Sequence, residues 1–590
     1  MFTTRPELRG TFGMVASTHW LASTAGMAIL ELGGNAFDAA VATGLALQVV
    51  EPHLNGPGGE VPIVLYSAER DEVLVVCGQG TAPAAATIPR FRELGLDLVP
   101  GTGLLAACVP GAFGAWMLLL EQFGTLRLRD VFEHAIGYAE RGYPLLPGIT
   151  AAIEGVEELF RDEWTSSAAV YLPGGRVPRP ATLFGNPVLA DTYRRLVADA
   201  ERSSGDREGQ IEAAREAFYS GFVAEAITDY LDGAEVLDCS GRRHRGLLDG
   251  DDLAGWRATV EQPVTFDYQG YRVCKTGPWG QGPVFLQQLA LLSGFDLTSI
   301  ERERHEFVHT VVECSKLAFA DREAWYGDPE FVDVPLDGLL APAYNDERRG
   351  LVDATASAEL VPGTVAGRTP RLPSAGRVAT AAPGVGEPTF ASAQERRGDT
   401  CHLDVADASG NLVAATPSGG WLTSSPVVPG LGFPLGTRAQ MFWLEEGLPN
   451  SLEPRKRPRT TLSPTLALRD AEPYVAFGTP GGDQQDQWSL VFFLSHAHFG
   501  LTLQEAIDAP TFHSDHFPSS FYPRRARPKV VEIEGRFGAA TIDELRRRGH
   551  EVDVRDDWSL GRLSAAAREP DGQLKAAASP RGAQGYAVGR

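Results

Sequence analysis

At 590 residues, with 43% hydrophobic and 22% charged residues, the chain has the composition of a soluble globular protein able to bury a large core. Its net charge of −23 excludes nucleic acid or an anionic membrane as the main partner, since both would be repelled over most of the surface, and leaves a small molecule as the expected one. Six scattered cysteines without CxxC spacing support neither a zinc site nor a disulfide framework and read as packed thiols.

The N-terminal stretch MFTTRPELRGTFGMVAST has no apolar run of signal-peptide length behind a basic start, so export is not indicated and a cytoplasmic location is expected. STAGMAILELGGNAFDAAVATGLALQVVEP predicts a helix stopped at Gly33 and Gly34, then a second from Asn35 ending before Pro52, with small residues that let the two pack closely. VPIVLYSAERDEVLVVCG predicts a hairpin with a charged turn. The apolar run LLAACVPGAFGAWMLLL (104–120) is broken by Pro110, Gly111 and Gly114. It is shorter than the about 20 residues a bilayer needs, and reads as buried core. TVEQPVTFDYQGYRVCKT predicts two more strands around YQG, forming a sheet beside the helices. In HEFVHTVVECSKLAFADREAWYG, Val308, Val311, Val312, Leu317 and Phe319 recur at helical spacing up to Gly327.

The composition then shifts. From about 354 to 398 the chain is mostly Ala, Gly, Pro, Ser and Thr, and such a stretch cannot bury enough surface to offset its ordering entropy. A disordered tail or loop, or a plain linker, is expected there. Immediately afterwards GDTCHLDVADASGNLVAAT predicts a hairpin about SGN, its first strand half-buried, with Cys401, Leu403 and Val405 alternating against His402 and Asp404.

GMVASTHWLASTAGMAILELGGNAFDAAVATGLALQVVEPHLNGPGG, LAFADREAWYGDPEFVDVP, GDTCHLDVADASGNLVAAT, KRPRTTLSPTLAL and GTPGGDQQDQW occur in order from about residue 10 to the C-terminus. Together they resemble the gamma-glutamyltranspeptidase family. The resemblance implies an α/β (α+β) fold, the four-layer αββα sandwich of the N-terminal-nucleophile hydrolases. It also implies a precursor that cuts itself at Asp399–Thr400. The products would be a large chain (1–399) with a disordered tail at about 354–398 and a small catalytic chain (400–590), paired in one domain. Thr400 Oγ would attack the Asp399 carbonyl, and afterwards the freed α-amine would serve as its base. No G-x-S-x-G motif suggests a serine triad instead.

By the same resemblance Gly481 and Gly482 form an oxyanion hole, where glycine lets backbone N–H groups approach the developing charge. Ser418 stands where the family has a second Thr bonding the nucleophile, and Thr460 and Thr461 where it has a Ser pair contacting substrate. The departures fall on substrate recognition. Gln79 in GQGTAP replaces an Arg that grips the glutamyl α-carboxylate, removing a bidentate charge. AQMFWL keeps Gln440 but puts Phe442 and Trp443 at the two acidic positions, and Gly420 falls where the family has Asn. Phe442 and Trp443 predict a pocket preferring aromatic or apolar acyl groups. Arg438 and Arg459 are either acid-binding groups approaching from another direction or solvated charges. TGPWGQGP (276–283) is expected to add a flexible wall with Trp279.

GPGGE (56–60) lacks the Lys-Ser/Thr of a phosphate loop and reads as a loop over the active site. His496, His498, His513 and His516 cluster in sequence, but the family resembled uses no metal, so no cofactor is expected. Three functions remain open. One is a gamma-glutamyl hydrolase or transferase with a rebuilt clamp, on a substrate other than ordinary glutathione. The next is an amidohydrolase, acylase or carbon–carbon bond hydrolase on a non-glutamyl substrate. The last is a non-catalytic binding scaffold, against which Thr400, Ser418, Gly481 and Gly482 argue.

Overall fold

The computed structural model describes residues 2–374 and 400–590. β1 (Leu8–Gly10) and β2 (Gly13–Ser17) lead into α1 (Trp20–Glu31) and α2 (Ala36–Val50). The break between the helices falls at Gly33–Gly34, and Asn35 caps α2 by accepting from the N–H groups of Phe37 and Asp38. β3 (Val61–Ser67) and β4 (Glu72–Gly78) form the expected hairpin. The apolar run at 104–120 is almost entirely buried, its second half in α3 (Ala112–Phe123), which is followed by α4 (Leu128–Arg141). Among the described residues no helix is long and apolar enough to cross a membrane. Further along, before residue 375, come β5 (Thr259–Glu261), β6 (Val264–Tyr268), β7 (Tyr271–Lys275), α5 (Gly282–Leu292) and α6 (His305–Trp325). After it come β8 (Leu403–Asp407), β9 (Leu412–Ala415), β10 (Thr465–Arg469), β11 (Glu472–Gly478), α7 (Gln485–Ala497), β12 (Ser564–Arg568), β13 (Leu574–Ala578) and β14 (Tyr586–Gly589).

These strands make two seven-stranded sheets, ordered β1-β13-β12-β11-β10-β7-β6 and β14-β2-β8-β9-β3-β4-β5, with every neighbouring pair antiparallel. Their inner faces meet through small residues, Ala16, Ala406 and Ala414 on one side and Ala476, Ala566 and Ala576 on the other. On the outer face of the second sheet, Val15, Ile63, Leu403 and Val405 pack under α1 to α4. On the outer face of the first, Val273, Val475 and Phe477 pack under α5 to α7. The order of layers is therefore αββα.

Two expectations need correction. β8 is a central strand with both faces covered, so it is wholly buried rather than half-buried. Its polar alternates lie between the sheets, where Asp404 accepts from Ser564 Oγ at 2.6 Å and lies 3.0 Å from His402 Nε2. The low-complexity stretch is tethered at separate points as far as Ser374, while most of it stays partly or fully exposed. Ser357 and Gly363 donate backbone N–H bonds to Glu313 and Asp321 of α6, and Val365 enters its apolar cluster. Carboxylates on a distant helix order this segment, which its own composition cannot reveal. The rest of the expected tail, 375–398, and Asp399 lie outside the described residues.

Close packing of α2 depends on Gly44, where a Cβ would lie 2.3 Å from the buried Trp116 ring of α3. Gly44→Val is expected to cost about 1–3 kcal/mol through overpacking and to lower the melting temperature; an unchanged or raised value would contradict this close fit.

Candidate active site

Thr400 sits at the head of β8, in the middle of the second sheet. Just before the regular strands begin, Thr400 bridges to Ser418 and Ser418 to Glu60. Cys401 N–H donates to Pro417 O at 3.0 Å, Glu60 N–H to Ser418 O at 2.8 Å, and Ser418 N–H to Glu60 O at 3.0 Å. Backbone pairing thus places the side chains of Thr400, Ser418 and Glu60 next to one another. Thr400 Oγ1 lies 3.2 Å from Ser418 Oγ, and Arg438 Nη2 donates to Ser418 Oγ at 2.9 Å. Arg438 is also paired with Glu60, and its guanidinium lies over the rings of Trp421 and Phe521. All of these residues are buried.

The first sheet reaches the same place. Gly478, at the end of β11, lies against the His402 ring, two residues from Thr400. Arg562 joins the two ends: its N–H donates to Thr479 Oγ1 at 3.0 Å and its Nη2 to the Thr400 carbonyl at 3.3 Å. Gly481 and Gly482 follow, between β11 and α7, with φ of +131° and +55°. A side chain at Gly481 would be strained at that φ and would collide with Trp488, its Cβ 2.2 Å from the ring. The turn therefore presents bare backbone at a helix start, where N–H groups lack intrahelical partners.

Cys401, the residue after Thr400, is a fully buried free thiol. Its Sγ donates to Glu51 at 3.0 Å, and burial first, then the Glu51 charge, push the thiol well above its ordinary range. Burial likewise raises the Glu51 carboxyl, against the opposing effect of Arg562 and the hydrogen bonds from Cys401 and Thr18.

The other sequence-predicted residues divide. Thr461 Oγ1 is buried without a hydrogen-bond partner among the described residues, whereas Thr460 N–H donates to Trp279 O at 2.9 Å and its Oγ1 accepts from Leu462 N–H at 3.3 Å. Gln79 Oε1 is also buried and unpartnered. Gln79 lines a cavity of about 360 Å³ with Cys77, Trp256, Asp328 and Arg457, and Thr400 is not among its lining residues. Gly420 lies against the GPGGE loop; a Cβ there would be 2.9 Å from the Gly58 and Gly59 backbone, so loop backbone fills the space an Asn side chain would need. Gln440 is engaged by Gly101 O, Thr437 Oγ1 and the Tyr522 N–H.

Phe442 and Trp443 are both buried, each in its own apolar cluster. Phe442 packs in an apolar cluster with Phe91, Leu105 and Leu444, and Trp443 packs with Leu98 and Leu448 under Arg524. The aromatic residues at the Arg438 end of the site are Trp421 and Phe521. Neither Arg438 nor Arg459 is a solvated charge: Arg459 is buried and paired with Glu323 at 2.6 Å. Trp279 is a fixed side chain rather than a flexible wall, fully buried with its indole N–H on Glu261 at 2.7 Å. The four clustered histidines do not converge. His496 binds Tyr474 and Leu501 O, His498 binds Tyr268, His516 binds Glu359 O, and His513 faces Asp515 and Glu532. Sequence reasoning missed Glu60, Arg562, Glu51, Trp421 and Phe521. Glu60 follows the GPGG loop directly, but its pairing with a residue 378 positions away leaves no local signal.

A family profile described as gamma-glutamyltranspeptidase matches residues 22–589. The chain is 33% identical over 585 residues to the glutathione hydrolase-like YwrD proenzyme of Bacillus subtilis (strain 168), covering 98% of this chain and 99% of that one. Among solved structures, that of LmbA2991HD is similar with a TM-score of 0.95 at 60% identity, both chains being covered in full. The cephalosporin acylase from Bacillus halodurans is similar with a TM-score of 0.82 at 29% identity, covering 100% of this chain and 97% of that one. The αββα layers are those of the N-terminal-nucleophile hydrolases.

Because Cys401 is fully buried and donates to Glu51, native protein treated with iodoacetamide at pH 8 is expected to leave Cys401 unmodified by peptide mass spectrometry. Alkylation at the rate of an exposed thiol would contradict this.

Proposed function

This chain is an enzyme of the gamma-glutamyltranspeptidase family, whose members include self-processing proenzymes, and we propose that it cuts itself at Asp399–Thr400 and then transfers acyl groups through Thr400. In the first step Thr400 Oγ bonds to the Asp399 carbonyl carbon while the peptide C–N bond breaks, and the Oγ proton passes to the leaving nitrogen. Water then hydrolyses this ester, releasing the Asp399 carboxylate and a Thr400 with a free amine and hydroxyl. An α-amine with an ordinary pKa of about 7.7–8.0 is partly neutral near pH 7.5 and accepts the Oγ proton as Oγ attacks a substrate carbonyl. The Gly481 and Gly482 N–H groups receive the oxyanion, the leaving amine takes the proton back, and water or an amine acceptor releases the acyl group.

The observation that carries this reading is the contact between Thr400 Oγ1 and Ser418 Oγ at the head of a central strand. The chains 1–399 and 400–590 stay together in this scheme because β2 pairs with β8 and β14, β3 with β9, and β7 with β10 across the cut.

The substrate is a small molecule with an amide-type bond whose acyl part is not an ordinary glutamyl group. Neutral Gln79 stands where a carboxylate-gripping Arg would, and positions 442 and 443 hold packed aromatic residues where acids would hold an ammonium. Both charges of a glutamyl group would lose their partners. An acylase or amidohydrolase activity is the form best supported, in keeping with the likeness to the cephalosporin acylase.

Purified wild-type protein is expected to run as chains of 399 and 191 residues, and Thr400→Ala as one uncut, inactive chain. A wild type that stays full-length would favour a binding scaffold. With the processed enzyme, phenylacetyl p-nitroanilide is expected to show kcat/KM at least about tenfold above gamma-glutamyl p-nitroanilide; the reverse order would show that a glutamate clamp has been rebuilt.

A further inference from the structure

Ser418 Oγ lies between two groups, Arg438 Nη2 at 2.9 Å and Thr400 Oγ1 at 3.2 Å. A guanidinium only donates and does not lose its proton in proteins, so Arg438 permanently occupies one lone pair of the serine oxygen. This polarises the Ser418 O–H and restricts where its proton can point. Arg438 is itself fixed. Glu60 binds it in a buried pair, and its guanidinium is enclosed by Trp421 and Phe521 with centroid distances of 5.6 and 5.8 Å. Glu60 is anchored in turn by the two backbone bonds it exchanges with Ser418. Glu60, Arg438 and Ser418 therefore form a ring of contacts that adjoins Thr400 Oγ.

We propose that Arg438, locked by Glu60, is a positioning residue that sets the Ser418 hydroxyl to donate to Thr400 Oγ as that oxygen loses its proton. The inference rests on Thr400 being the nucleophile. In this role Arg438 acts through Ser418, to which its Nη2 donates. Thr400 Oγ gives its proton to the amine nitrogen, and the Ser418 O–H turns toward the developing negative charge while Arg438 continues to donate to the other side of the serine oxygen. The Glu60 carboxylate neutralises Arg438, so the polarisation reaches Ser418 without a full uncompensated positive charge beside the α-amine. The same oxygen attacks in self-cutting and in turnover, so both steps depend on this ring.

Self-cutting provides a readout that needs no substrate. Precursors synthesised cell-free are followed by intact mass, and the rate of appearance of the 400–590 chain is compared in a double-mutant cycle of Ser418→Ala and Arg438→Met. Each single variant is expected to slow cutting by about 10–100-fold, the size of a lost charge-assisted hydrogen bond. The double variant is expected to be within about threefold of Ser418→Ala alone, because Arg438 has nothing to polarise once the hydroxyl is gone. Arg438→Lys is expected to fall between wild type and Arg438→Met. If Arg438→Met shows no cooperative melting, Arg438→Lys and Glu60→Gln replace it in the same cycle. The proposal is overturned if the arginine change costs the same factor with and without the serine hydroxyl, or costs nothing. A wild type not cut at Thr400 removes the nucleophile assignment together with this proposal; a properly cut wild type with an additive cycle removes this proposal alone.

Discussion

The structure depends on a backbone ladder that runs from Glu60 through Ser418 to Thr400 across the end of the second sheet. Glu60 lies more than 300 positions before the other two in the chain, yet antiparallel pairing sets the three side chains next to one another with the precision of a sheet rather than a loop. The second sheet cannot slip by one residue without turning Leu403 and Val405 away from the helical core, so its apolar pattern also fixes where Thr400 Oγ stands. Arg562 carries the constraint into the first sheet, joining the Thr400 carbonyl to the strand end that precedes Gly481.

Around this ladder the buried charges are paired: Glu60 with Arg438, Lys275 with Asp486 at 2.9 Å, and Arg459 with Glu323. Such pairs contribute little net stability, but losing one member leaves a buried charge whose desolvation is uncompensated, at a cost of about 3–5 kcal/mol. They serve better as fixed geometry than as glue. Arg438 differs from the others because its remaining donor reaches a hydroxyl that faces Thr400. Gln79, Phe442 and Trp443, where the family resemblance implies charged residues, lie apart from this set of pairs.

Much of the fold was legible in the chain. The Gly33–Gly34 break, the Asn35 cap, the hairpins at 61–78 and 403–415 and the long helix at 305–325 follow from local spacing and turn chemistry. The order of layers came with the family resemblance, since alternation alone does not say that the polar side of β8 faces a second sheet. At the site, the proximity of Thr400 and Ser418 was legible because motif position implied it. The surroundings of Phe442 and Trp443 were not: motif position gives the residue type there, but not which apolar cluster each ring joins. The tethering of 354–374 and the Glu60–Arg438 pair were hidden for one common reason, that each depends on partners remote in sequence.

N-terminal sequencing of the small chain, purified without added protease, tests the central claim most directly. The expected sequence begins Thr-Cys-His-Leu-Asp, with Thr400 carrying an unblocked amine. A chain that begins at any other residue, or a full-length polypeptide that starts only at its original N-terminus, would contradict the assignment of Thr400 as the nucleophile.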